Sequence, residues 1–374
     1  MIYFDNAATG GFKPSIVTET AINTIKYLNA NAGRSGHRLS IKGAKTVLDT
    51  RLSLASFFGA TDFSRVIFTK NATEALNTLL FGTKKIGGHI ITTVYEHNSV
   101  LRPIEQLKRE YGITCTVVDS VYDIEKHVND KTYLVIVNHV SNVTGHENDL
   151  EYVGNLLKDK DIIFASDVSQ SAGHVAINMQ KLHLNAICCA GHKAMCSIMG
   201  SGFLIFDENT TVNPLTFGGT GTDSLNVNQP TEYPERLESG TLNLPAIASL
   251  GEATEYVKNN LTLFSETLFT LTDFLCKELE KIDGVKLYST PNRYGIVSFS
   301  LSTYTSGEVA DILSREYDIA VRGGLHCAPL IHKKLGTQLD GLVRVSLAPQ
   351  NTLREVQIFL RAVYKISKGI TIKA

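Results

Sequence analysis

The sequence predicts an α/β fold: a mainly parallel seven-stranded sheet sandwiched by helices, followed by a smaller α+β C-terminal domain. Three observations lead there. Seven short β-rich runs lie between positions 65 and 206, largely continuous in apolar residues rather than alternating, as strands buried on both faces require. Helix-length segments separate most of them, which suits parallel crossovers. A long helical pattern from about Leu250 then leads to a fresh set of strand-like runs.

In chain order, a helix is expected over residues 44–58, closed by Gly59. Strands are expected at 65–69, 89–93, 114–118, 133–138, 162–166, 186–190 and 202–206. Residues 207–234 are rich in Gly, Thr and Asn with weak periodicity, and read as an irregular excursion. Later strands fall at 295–300, 319–322 and 343–346. The last helix starts at Thr352, where Glu355 completes a capping box, and places Val356, Phe359, Leu360, Val363 and Ile366 on one face. Residues 16–249 are expected to form the large domain. Residues 1–15 and 250–374 form the small one.

With 374 residues, 43% of them hydrophobic, the chain can bury a large core. The 36 basic and 37 acidic side chains leave a net charge of −1, so neither nucleic acid nor an anionic membrane is the expected partner. The first residues lack a basic region followed by an apolar stretch, and no apolar run reaches about 18 residues, so a soluble, cytoplasmic protein is expected. The six cysteines form no CxxC pair and no metal-ligand spacing. Five read as small core residues; Cys327, in Arg322-Gly323-Gly324-Leu325-His326-Cys327-Ala328-Pro329, does not.

Asp167 ends the run at 162–166, placing a carboxylate at a strand end where such sheets bind ligands. It suits a helix N-cap, or a protonated pyridine nitrogen whose charge it would hold. Gln170 stands three residues on, within reach of a ring hydroxyl. Lys193 follows the apolar run 186–190 in Gly191-His192-Lys193; desolvation there lowers an amine's pKa and yields the neutral nucleophile that condenses with an aldehyde. Around Ala72 and Thr73 a strand gives way to a helix, offering free N–H groups and a hydroxyl to an anion. His97 can stack on a planar ring or serve as a hydrogen-bonded loop histidine.

Together these residues resemble the class V aminotransferase family of fold-type I pyridoxal phosphate enzymes, in its cysteine desulfurase and selenocysteine lyase branch. The resemblance runs from Tyr3-Phe4-Asp5-Asn6-Ala7-Ala8-Thr9 to Asn351-Thr352, and includes His139-Val140-Ser141-Asn142-Val143-Thr144-Gly145 and Arg236-Leu237-Glu238-Ser239-Gly240-Thr241-Leu242-Asn243. It implies that Lys193 carries pyridoxal 5'-phosphate and acts as base, with Asp167 at the ring nitrogen, Gln170 at the ring hydroxyl and His97 stacked on the ring. Ala72, Thr73 and His192 would hold the phosphate, and Thr241 would reach it from the other subunit of a homodimer. Asn142, Arg344 and Arg322 would contact the substrate. Cys327 would accept sulfur from L-cysteine, leaving L-alanine, and pass it to an acceptor protein.

The compact loop around Cys327 resembles that of the SUF-type group, a likeness that links the chain to sulfur mobilisation and iron–sulfur cluster assembly. Ala190 stands where many relatives carry Ser or Thr, and the stretch 195–200 and Gln350 also depart from the pattern. Selenocysteine lyase, another class V aminotransferase or β-lyase, and a non-catalytic cofactor-binding relative are the alternatives.

Overall fold

The structure is a computed structural model and describes residues 1–222 and 224–370; position 223 of the expected excursion and the last four residues of the expected small domain lie outside it. In order come β1 (Ile2–Tyr3), α1 (Ser15–Tyr27), α2 (Arg38–Phe58), β2 (Val66–Thr69), α3 (Ala72–Gly82), β3 (His89–Thr93), α4 (Asn98–Tyr111), β4 (Thr114–Val118), β5 (Thr132–Asn138), α5 (Leu150–Leu157), β6 (Ile163–Asp167), β7 (Ala186–Ala190) and β8 (Gly202–Phe206). They are followed by α6 (Leu244–Leu279), β9 (Val285–Leu287), β10 (Ile296–Leu301), α7 (Ser306–Tyr317), β11 (Ile319–Ala320), β12 (Arg322–Gly324), α8 (Pro329–Leu335), β13 (Leu342–Ser346) and α9 (Leu353–Ser367).

The large sheet has seven strands in the order β2-β8-β7-β6-β5-β3-β4, parallel except for β8, which runs against both neighbours. Its central strands β5 and β7 are buried at every position, which explains why their sequence shows no alternation. Separate apolar clusters cover the sheet, one with Leu54, Phe58 and Val153, another with Leu76, Leu79 and Leu107. A four-stranded sheet, β12-β13-β10-β9, packs with Phe359 and Val363 of α9 into a further core. Helix α6 spans 36 residues and feeds both: Leu250 and Val257 join the first core, Leu268 and Leu275 the core around α9.

Two elements differ from the sequence expectation. Helix α2 begins at Arg38 rather than 44, because the His37 ring accepts from Ser40 N and supplies a cap that the usual Ser, Thr, Asp and Asn pattern does not reveal. The expected strand at 319–322 is broken: β11 pairs with β1, whereas β12 pairs with β13. The chain changes sheets at Val321, and Gly323 makes this possible, since a Cβ there would strike the Ser306 carbonyl. Residues 207–234 contain neither helix nor strand among the described residues, as expected. No helix among the described residues is long and apolar enough to cross a membrane.

Candidate active site

The C-terminal ends of β3, β5, β6 and β7 open onto one cavity with an empty volume of about 760 Å3. Asp167 ends β6 and Asn138 ends β5 beside it, their Cα atoms paired in the sheet register. The turn after β7 brings in His192 and Lys193. The N-terminal segment supports this turn from behind: Gly10 N and Lys13 Nζ both donate to the His192 carbonyl, at 3.0 and 2.8 Å.

Helix α3 aims its start at the cavity, where Asn71, Ala72 and Thr73 line the wall. Asn71 caps the helix by accepting from Glu74 N at 2.9 Å. Gly202 of β8 permits the approach, since a Cβ there would lie 2.7 Å from the Asn71 backbone. The free N–H groups of this turn attract anions.

Lys193 lines the cavity, and its ammonium makes no hydrogen bond or ion pair among the described residues. Burial lowers its pKa; Asp167 opposes the shift, while Arg344 and Arg322 add to it. Burial and then the Lys193 charge push His97 down to about 4, and burial first and Lys193 next do the same for His192. Both rings are therefore neutral at neutral pH. Asp167 accepts from Ser169 N at 3.0 Å, and Gln170 Nε2 donates to the Ala7 carbonyl at 3.0 Å, leaving its second N–H free for the cavity.

Arg344 on β13 is 1% exposed, donating to the Asn142 carbonyl at 2.9 Å and to Asp5 at 2.8 Å, while its Nε has no partner. Asn142 Oδ1 is likewise buried without a partner. A buried polar atom left unmatched costs about 1–3 kcal/mol.

Cys327 sits differently. It is exposed and does not line the cavity, although Arg322 and His326 beside it do. His326 and Cys327 both hold left-handed backbone, φ 51° and 58°, a strained pair for residues with side chains. The strain is held by two anchors: Asn142 Nδ2 donates to the His326 carbonyl and Asn98 N to the Cys327 carbonyl, each at 2.7 Å. The thiol sulfur accepts a long hydrogen bond from Arg322 Nη2 at 3.9 Å.

The structure thus gathers Ala72, Thr73, His97, Asn142, Asp167, Gln170, His192, Lys193, Arg322 and Arg344 around one cavity. Thr241 is not among them; it is exposed, and Asn31 Nδ2 donates to its hydroxyl at 3.4 Å. Sequence reasoning assigned no role to Asp5, Ser99, Asn138 or Ser169. Asp5 stood inside the N-terminal motif, but nothing in the sequence reveals that it pairs with Arg344 or that Ser99 touches His97.

A lysine, an aspartate and an anion cradle at the strand ends of a mainly parallel sheet define a fold-type I enzyme of the kind that works with pyridoxal phosphate. Residues 2–359 match the family model for aminotransferase class-V, and the chain belongs to that family. It is 32% identical to a probable cysteine desulfurase of Pyrococcus abyssi, over 99% of this chain and 95% of that protein. A probable cysteine desulfurase of Methanothermobacter thermautotrophicus is 31% identical, over 96% and 92% of the two chains. The apo structure of a cysteine desulfurase from Thermococcus onnurineus superposes with a TM-score of 0.92 at 34% identity, covering 98% of this chain and 95% of that one. An Escherichia coli cysteine desulfurase shares the fold, with a TM-score of 0.89 at 22% identity, over 99% and 95% of the chains.

Proposed function

We propose that this chain is a pyridoxal phosphate-dependent cysteine desulfurase that takes sulfur from L-cysteine onto Cys327, leaves L-alanine, and passes the sulfur to an acceptor protein. The observation that carries the reading is a strained, doubly anchored loop that holds an exposed Cys327 beside two residues, Arg322 and His326, that line the cavity of an unpaired lysine. The cavity fits the cofactor. Ala72, Thr73 and His192 would hold its phosphate, Asp167 its ring nitrogen, Gln170 its hydroxyl, His97 its face and Lys193 its aldehyde carbon. When bound, the cofactor supplies an electron sink for charge at the substrate's α-carbon.

The chain's own residues do the rest. The lowered pKa of Lys193 makes its Nζ available as base for the α-proton. Arg344, held in place by Asp5, would pair its guanidinium with the substrate carboxylate. Cys327 Sγ, as thiolate, bonds to the substrate sulfur as the substrate C–S bond breaks, and the β-carbon takes a proton. L-cysteine and the Cys327 thiol become L-alanine and a Cys327 persulfide, with no outside oxidant or reductant. A free, exposed thiol suits a reducing, cytoplasmic setting. Thr241, away from its own cavity, is read as serving that of a second copy in a homodimer.

The test is product release from L-cysteine by cofactor-loaded protein with a reductant, beside L-selenocysteine and Cys327→Ala. Equimolar alanine and sulfide that vanish in the variant are expected. Selenide alone, surviving the substitution, would replace this reading with selenocysteine lyase, and silence on both amino acids would overturn it.

A further inference from the structure

We propose that Ser99 is a positioning residue for His97: its hydroxyl, shared with Thr73, holds the imidazole in the tautomer protonated at Nε2 and ties that ring to the anion cradle of α3. The inference rests on the reading of the cavity as a cofactor site, but the hydrogen bonds that carry it are independent of any ligand.

His97 is the N-cap of α4, where its Nδ1 accepts from Ser99 N at 3.1 Å. A ring nitrogen that accepts a backbone N–H carries a lone pair and no proton. The Ser99 hydroxyl, 2.9 Å from the same nitrogen, therefore donates to it as well. With that proton committed, Ser99 Oγ is left to accept, and Thr73 Oγ1 lies 2.8 Å away as donor. The direction of the chain is thus fixed from Thr73 through Ser99 to His97, and the ring's only proton sits on Nε2. Ser99 is buried and lines the cavity with both of its partners. The charged groups that act on the ring are Lys193, Asp167, Arg322 and Arg344; burial and the three cations keep it neutral, and Asp167 alone pulls the other way. A fixed tautomer matters here because a histidine with both nitrogens unrestrained would present a donor or an acceptor to the same ligand atom.

The test uses holoenzyme labelled with ring 15N histidine, with His97→Gln to assign the signal. The wild type is expected to show an unprotonated Nδ1 and a protonated Nε2. In Ser99→Ala the neutral ring loses a donor, so its titration midpoint should rise by about 0.7 of a pH unit, the equivalent of one ordinary hydrogen bond. The acid limb of kcat/KM should move with it, and Ser99→Thr, which keeps the hydroxyl, should restore both. A proton on Nδ1 in the wild type, or a midpoint unmoved in Ser99→Ala, overturns the proposal. A shifted midpoint with an unmoved acid limb upholds the Ser99 contact and refutes instead the reading of His97 as a cofactor-side residue.

Discussion

Glu96, next to His97, has no exposed surface, and its Oε1 accepts from Asn138 N and the Thr93 hydroxyl, both at 2.8 Å. Oε2 has no partner. Burial pushes its pKa up to about 8 from the ordinary 4.5; the hydrogen bonds pull it down, and Asp167 nearby adds to the rise. A neutral carboxyl fits this place, because a second anion beside Asp167 would be repelled by it. A folded-state pKa above the unfolded value gives stability that is complete below about 4.5 and is lost as pH rises through about 8. Glu96→Gln keeps an acceptor and cannot ionise. Urea unfolding between pH 5 and 9 should therefore show the wild type losing stability relative to Glu96→Gln, by up to about 4 kcal/mol. A difference constant with pH would mean that Glu96 is already ionised in the folded protein.

The first turn of α3 joins stability to anion binding, and its cap allows the two to be separated. Asn71 satisfies Glu74 N, and Glu74 reaches back to Lys70 N at 2.6 Å, so two free donors are tied off while those nearer the cavity stay open. Asn71→Ala removes the cap and should cost about 1 kcal/mol in denaturant unfolding. Asn71→Asp keeps the cap but sets a negative charge on the cavity wall, so it should unfold like the wild type while binding cofactor about tenfold more weakly. Equal cofactor affinity in the wild type and Asn71→Asp would remove the phosphate from the start of α3. This turn was legible in the sequence because a strand-to-helix change with Asn and Thr at the start is a local pattern. The loop around Cys327 was legible only in part. Its glycines and its cysteine stood out, but the left-handed backbone at His326 and Cys327 depends on Asn98 and Asn142, more than 180 residues upstream. Periodicity cannot register a contact at that range.

Across the whole molecule, the large sheet was readable because its buried central strands leave continuous apolar runs, and the cavity lay where such sheets bind ligands. The break at Val321 was not readable, since Ile319 to Gly324 has one strand-like composition but two pairing partners. The segment leading to Thr241 is pinned by a buried ion pair between Arg51 and Glu238 and by Phe68 N donating to Glu238 at 2.8 Å, so Thr241 is presented outward on a fixed base rather than free to swing into its own cavity. If it serves a second copy, Thr241→Glu should repel phosphate in the partner's site, and Lys193→Ala should silence the site of its own chain. Each variant alone would be nearly inactive. Co-folded in equal amounts, half of the dimers should be mixed, and each mixed dimer holds one site with native Lys193 and native Thr241, so activity should return to about a quarter of the wild type. Recovery tests the exchange of residues between copies directly, because no rearrangement within a single chain can unite the two native side chains. Failure to recover, with mixed dimers shown to form by mass, would place Thr241 outside the site.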